Sequence, residues 1–336
     1  MTTPTRRMIL AGLGASLAAP ALRAQGTPDL SAAFTRAGEM EQLWSLAVAQ
    51  GGEVLKAQAF RGPALDVPVN IKSVSKSIIS ALVGISIGHG EVSGVDQPIA
   101  PILARWVPRR ADPRVRAITV GDLLTMRSGL TRLSGAAYGD WVEGTHWIYD
   151  ALSEPMVAEP GTDMLYSTAS YHMLGAVLME ATGQNLLSLA RDRLGVPLGI
   201  EIPAWTQDPS GRYLGGNDMR LSPEALMKLG ETYRQGGFWG GTQVIPTDWI
   251  TQSWTPRTRS PESGHEYGYG WYAFQPTGWD TRYARGYGGQ MIWVVPDLRL
   301  TVVATSDASR PAGESEGHFG ALNALLAEAV LPVFAP

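Results

Sequence analysis

Between Ser75 and His89 apolar residues occupy Ile78, Ile79, Leu82, Val83, Ile85 and Ile87, and Gly88 and Gly90 offer a stop. At 3.6 residues per turn these positions leave little polar surface, which predicts a mostly buried helix. The fold must therefore surround this segment. Ser73-Val74-Ser75-Lys76 stands at its head. Residues three apart on a helix lie one above the other, so the Lys76 amine can reach the Ser73 hydroxyl. A serine hydroxyl is too weak a nucleophile to act unaided. To take its proton, a lysine must first lose its own, and burial beside hydrogen-bond donors can lower its pKa from ~10.4 toward neutrality. The helix N-terminus adds free N–H groups that favour developing negative charge.

The flanking patterns predict the remaining architecture. Leu43 to Ala49 and Val54 to Phe60 flank Gln50-Gly51-Gly52, a hairpin signal ahead of the helix. Met291 to Val295, Pro296-Asp297 and Leu300 to Ala304 form a second hairpin signal, followed by helical periodicity from Gly320 to Val330. Between them, residues 97–216 read as helices and Pro-rich connections, with helices expected over Ser170 to Thr182 and Leu186 to Leu194. This order predicts an α+β fold: an antiparallel sheet flanked by helices (residues 25–96 and 217–336), with a second, mainly helical lobe (97–216).

Thr5-Arg6-Arg7-Met8-Ile9-Leu10 leads into an apolar run ending near Leu22, then Arg23-Ala24. It resembles a twin-arginine export signal over residues 1–24, with the periplasm as expected destination. The run is too short to span a bilayer, and no later segment has 18 uninterrupted apolar residues, so no membrane span is expected. Cleavage after Ala24 removes three arginines and no acid, taking the formal net charge of −4 three further units negative. Such an acidic chain is a poor nucleic-acid partner. It has no cysteine, which excludes disulfides and thiol chemistry. The five histidines form no His-x-x-x-His pair, so neither metal nor cofactor is expected.

Four motifs in order carry a family resemblance. They are Ile71-Lys72-Ser73-Val74-Ser75-Lys76-Ser77, the segment Ile118 to Leu130, Pro160-Gly161-Thr162 leading to Tyr166-Ser167-Thr168, and Gly286-Tyr287-Gly288-Gly289-Gln290. Together they resemble the class C β-lactamase and penicillin-binding-protein superfamily of serine hydrolases, in particular its esterases and nylon-oligomer hydrolases. The resemblance implies a β-lactamase/transpeptidase-like fold with Ser73 as acylated nucleophile, Lys76 as its proton partner and Tyr166 as the tyrosine that activates the serine or protonates the leaving group. Lys76 and Tyr166 would then titrate jointly. It further implies an oxyanion hole from the backbone N–H groups of Ser73 and Gln290, with Thr168, Tyr287, Gly288 and Gly289 along the substrate.

Two departures bear on the substrate. Tyr287-Gly288-Gly289 stands where lactamases carry Lys-Thr-Gly, and Thr168 replaces the asparagine of Tyr-x-Asn. Loss of the lysine points to neutral esters or small amides, unless Arg285 or Arg282 supplies a cation. A true β-lactamase or D-amino-acid peptidase is the second enzymatic expectation, and a penicillin-binding-like sensor without turnover the third. Gly84-Ile85-Ser86-Ile87-Gly88 matches the nucleophile-elbow pattern, but that motif needs a strand where a continuing helix is expected.

Overall fold

The computed structural model describes residues 28–335 apart from 312, 314 and 316, so the expected export signal lies outside the described residues. A first helix, α1 (Ser31–Glu39), leads into strands β1 (Leu43–Gln50) and β2 (Glu53–Ala59), the hairpin predicted around Gly51-Gly52. Six further strands come from the last third of the chain: β3 (Thr258–Arg259), β4 (Glu266–Tyr267), β5 (Tyr272–Phe274), β6 (Thr281–Gly286), β7 (Gln290–Val295) and β8 (Leu300–Ser306). All pair antiparallel in the order β2-β1-β8-β7-β6-β5-β4-β3. The amino-terminal hairpin thus closes onto β8, with Val48 opposite Val302.

Every residue of β7 and β8 is buried, as their unbroken apolar runs require. Helix α2 (Ser75–Gly88) is buried from Ser75 through Ser86 and packs against α3 (Thr168–Thr182). Helix α4 (Pro223–Arg234) lies across β7 and β8. It comes so close that a Cβ at Gly230 would meet the Thr301 and Ile292 methyls at 2.7 and 2.8 Å. Among the described residues, no helix is long and apolar enough to cross a membrane. The antiparallel sheet with its helices is the α+β architecture expected. The helix expected over Leu186 to Leu194 is α-helical only to Ala190 and continues as a wider π turn through Gly195.

Ser86 falls inside α2, fully buried, and its Oγ accepts a hydrogen bond from Arg193 Nη1 at 2.8 Å. No strand leads into it, which removes the elbow reading. A two-residue ladder, Val69–Asn70 against Arg220–Leu221, instead brings the chain just ahead of Ser73 beside the stretch that follows Leu214.

Candidate active site

A short 3₁₀ turn, Lys72–Val74, carries Ser73 into α2. Lys72 adopts a left-handed backbone with φ of +50°, a conformation that costs a side-chain-bearing residue about 1–2 kcal/mol. Hydrogen bonds hold it there. The Lys72 amide donates to Asn70 Oδ1 at 2.9 Å, and Ser75 Oγ donates to the Lys72 carbonyl at 2.5 Å. Asp218 Oδ1 accepts from both Asn70 Nδ2 (2.9 Å) and Lys72 Nζ (3.1 Å).

One turn further on, Lys76 is 2% exposed. Its Nζ stands 3.0 Å from Ser73 Oγ and donates to the Gly216 carbonyl at 2.5 Å. Burial lowers the lysine pKa because the ammonium loses its water, and the neighbouring Tyr166 and Asp218 partly oppose that shift. The Tyr166 ring centre is 5.0 Å from the same nitrogen. A buried amine that holds its proton less tightly than in water, within hydrogen-bond reach of a hydroxyl, can draw the hydroxyl proton away. Tyr171, the other tyrosine of the motif region, is fully buried and donates its hydroxyl to the Leu124 carbonyl at 2.8 Å.

The segment Gly215–Met219 ties the floor together. The Gly215 amide approaches His172 Nδ1 at 3.5 Å, and Gly216 holds Lys76. Asn217 Nδ2 donates to Tyr138 Oη at 3.1 Å, and the Met219 amide donates to Ser75 Oγ at 3.1 Å. The N-terminus of α3 is capped from a distance. Ser134 Oγ accepts from the Thr168 amide at 2.8 Å, while Ser167 Oγ accepts from the Leu133 amide at 3.1 Å. The Ser134 and Thr168 hydroxyls also meet at 2.8 Å.

Ser73, Tyr166, Thr168 and Tyr287 line one cleft of about 620 Å³. The end of β6 forms its other wall, where a Cβ at Gly286 would lie 2.3 Å from the Ile71 carbonyl oxygen. Three expected residues are not brought there. Tyr287-Gly288-Gly289 is the loop of the β6–β7 hairpin rather than a continuing strand, because Gly288 and Gly289 take φ of +76° and +99°. Gly288 leans on Asp307 and Ala308, and Gly289 on His318 and Ser306. Gln290 is wholly buried, its side chain donating to the Ser306 carbonyl at 2.6 Å and accepting from the Ser306 amide. A residue with no exposed surface cannot offer its N–H to an entering substrate, so Gln290 does not fill the oxyanion position. Gly288 and Gly289 likewise do not line the cleft.

Sequence reasoning missed several lining residues. Lys72, Arg132, Tyr138, Asn217, Glu262 and Tyr272 all face the cleft, and the paired glycines ahead of Asn217-Asp218 were the one local signal of close packing. Of the two arginines considered as a cationic anchor, Arg285 lines the cleft with its guanidinium 4.1 Å from the Phe319 ring centre. Arg282 is paired with Asp280 at 2.7 Å and lines a different groove. Among the described residues, no group of three or more His, Asp or Glu side chains could hold a metal ion.

Esterase EstB from Burkholderia gladioli is 31% identical over 183 residues, 46% of this chain and 44% of the esterase. The matched part thus spans less than half of that relative's length. A penicillin-binding protein homologue from Caulobacter crescentus superposes with a TM-score of 0.71 at 16% identity, covering 92% of this chain and 99% of that one. EstCE1, a hydrolase with promiscuous acyltransferase activity, superposes with a TM-score of 0.72 at 18% identity, covering 89% and 97%. The family model described as Beta-lactamase matches residues 15–326. The chain belongs to the Beta-lactamase family.

Proposed function

We propose that the protein is a serine hydrolase that forms an acyl-enzyme on Ser73 and hydrolyses esters or small amides. The observation that carries this reading is the 3.0 Å contact between Ser73 Oγ and the buried Lys76 amine. Ser73 Oγ attacks the substrate carbonyl carbon as its proton passes to the Lys76–Tyr166 pair. That pair returns the proton to the leaving oxygen or nitrogen as the scissile bond breaks, and water then releases the acyl group by the same route. The oxyanion takes the backbone N–H of Ser73 and, in place of Gln290, that of Tyr287. Tyr287 follows Gly286, the residue pressed against the Ser73 turn, and it reaches the cleft. Such a donor is worth ~3 kcal/mol in the transition state. The Arg6-Arg7 segment supports export to the periplasm as part of the same reading.

Wild type and Ser73→Ala, assayed with 4-nitrophenyl acetate beside a chromogenic cephalosporin and followed by intact mass, test the reading. Ester turnover and a mass adduct on Ser73, both lost in the variant, are expected. Equal turnover in the two proteins with no adduct would overturn it. A stable stoichiometric adduct without release would assign the chain to the sensor class instead.

A further inference from the structure

Resting on that reading, we infer that the ion pair Arg132–Glu262 bridges the cleft and selects substrates by the length of their arms. Both residues line the cleft that holds Ser73, and they come from its two sides. Arg132 belongs to the loop that Leu133 and Ser134 tie to the start of α3, the Tyr166 side. Glu262 belongs to the connection between β3 and β4 on the sheet side, a tight loop closed by the Gly264 amide on the Ser260 carbonyl at 2.8 Å. Both side chains thus stand on loops fastened at their bases, 130 residues apart in sequence, and their tips meet at 2.8 Å between Arg132 Nη2 and Glu262 Oε1.

The bridge is built to open. It is a single-point contact rather than a bidentate one, and its side chains are 42% and 43% exposed. An exposed pair of this kind holds by a factor of about two to five in equilibrium constant. The guanidinium is also under-satisfied, since Arg132 Nε is shielded from solvent with no hydrogen-bond partner among the described residues. The single contact at Nη2 lies on the partly exposed end of the side chain, so an acceptor on a substrate arm replaces Glu262 there. A short neutral ester leaves the pair undisturbed, a longer arm parts it, and a carboxylate-bearing arm that reaches Arg132 competes with Glu262 for it, beside the Arg285 cation in the same cleft.

The test uses the full chain, Glu262→Gln and Arg132→Gln, each checked by thermal melting. The readout is the kcat/KM ratio of 4-nitrophenyl octanoate to acetate, and of mono-4-nitrophenyl glutarate to pentanoate. Both variants are expected to raise the octanoate/acetate ratio about two- to fivefold. Glu262→Gln should raise the glutarate/pentanoate ratio and Arg132→Gln lower it, a split that a change of cleft size alone does not produce. In wild type, 0.5 M NaCl should raise the octanoate/acetate ratio by screening the pair, and that effect should vanish in Glu262→Gln. Unchanged ratios in both variants, or the same salt response with and without Glu262, would overturn the inference. Acetate hydrolysis dependent on Ser73 would still stand in that case, whereas its absence in wild type would instead remove the hydrolase reading.

Discussion

Gly286→Ala tests whether the contact between β6 and the nucleophile turn sets the reacting geometry. The added Cβ would lie 2.3 Å from the Ile71 carbonyl oxygen and 3.1 Å from both Lys72 Cβ and Gln290 Cβ. Carbon and carbonyl oxygen rarely approach closer than about 3.3 Å, so strand and turn must part by about 1 Å. Ile71 is two residues from Ser73, so that gap displaces the hydroxyl relative to the wall bearing Tyr287. A misplacement of about 1 Å costs on the order of 10²-fold in rate, while crowding of this kind costs about 1–3 kcal/mol in stability. The expected result is kcat/KM for 4-nitrophenyl acetate reduced about 100-fold in a protein that still melts cooperatively a few degrees lower. Gly320→Ala is the control, because nothing lies within 4 Å of its added Cβ. If Gly286→Ala keeps near wild-type kcat/KM while its Tm falls, the strand end does not hold the site and the reasoning fails.

Two further outcomes follow from buried charge. Lys76 has its pKa lowered chiefly by burial, so the folded enzyme carries the free amine at pH values where an unfolded chain remains protonated. The kcat/KM profile should therefore rise with pH through a midpoint below the ordinary lysine value of ~10.4, and Lys76→Met should abolish the rise; a midpoint at or above that value would contradict it. Glu231, buried on α4, accepts from Arg234 Nε and Nη2 at 2.8 and 2.7 Å and from Thr301 Oγ1 at 2.6 Å. Glu231→Gln leaves that guanidinium without its counter-charge and should cost about 3–5 kcal/mol by urea unfolding, and a loss below 1 kcal/mol would refute this.

What could be read in the sequence was set by local geometry. The pairing of Ser73 with Lys76 follows from helical pitch alone, and the two long hairpins follow from apolar runs around Gly51-Gly52 and Pro296-Asp297. The misplacement of Gln290 has a physical cause. The resemblance aligns Tyr287-Gly288-Gly289 with Lys-Thr-Gly, whereas two glycines at positive φ turn the chain here and bury Gln290 behind the hairpin. Paired glycines ahead of an apolar strand are a turn signal. The start of α3 at Thr168 rather than Ser170 depends on Leu133 and Ser134, 34 residues upstream. The cleft partners Arg132 and Glu262, and the grip of Asp218 on Lys72, are contacts between distant segments that no short-range periodicity reports.

The stretch from Gly215 to Met219 works as a splint. Within five residues it touches His172, Lys76, Tyr138, Lys72 and Ser75. Among the described residues, Arg132 and Glu262 make no hydrogen bond to it and are carried on loops of their own. The cleft is thereby divided into a floor whose parts must change together and a rim whose parts can change singly. Substitutions at the rim can alter which molecules enter while leaving the reacting atoms in register. A change of backbone path within the splint shifts partners on both sides of Ser73, so new specificities in such a chain should arise by replacing rim residues one at a time.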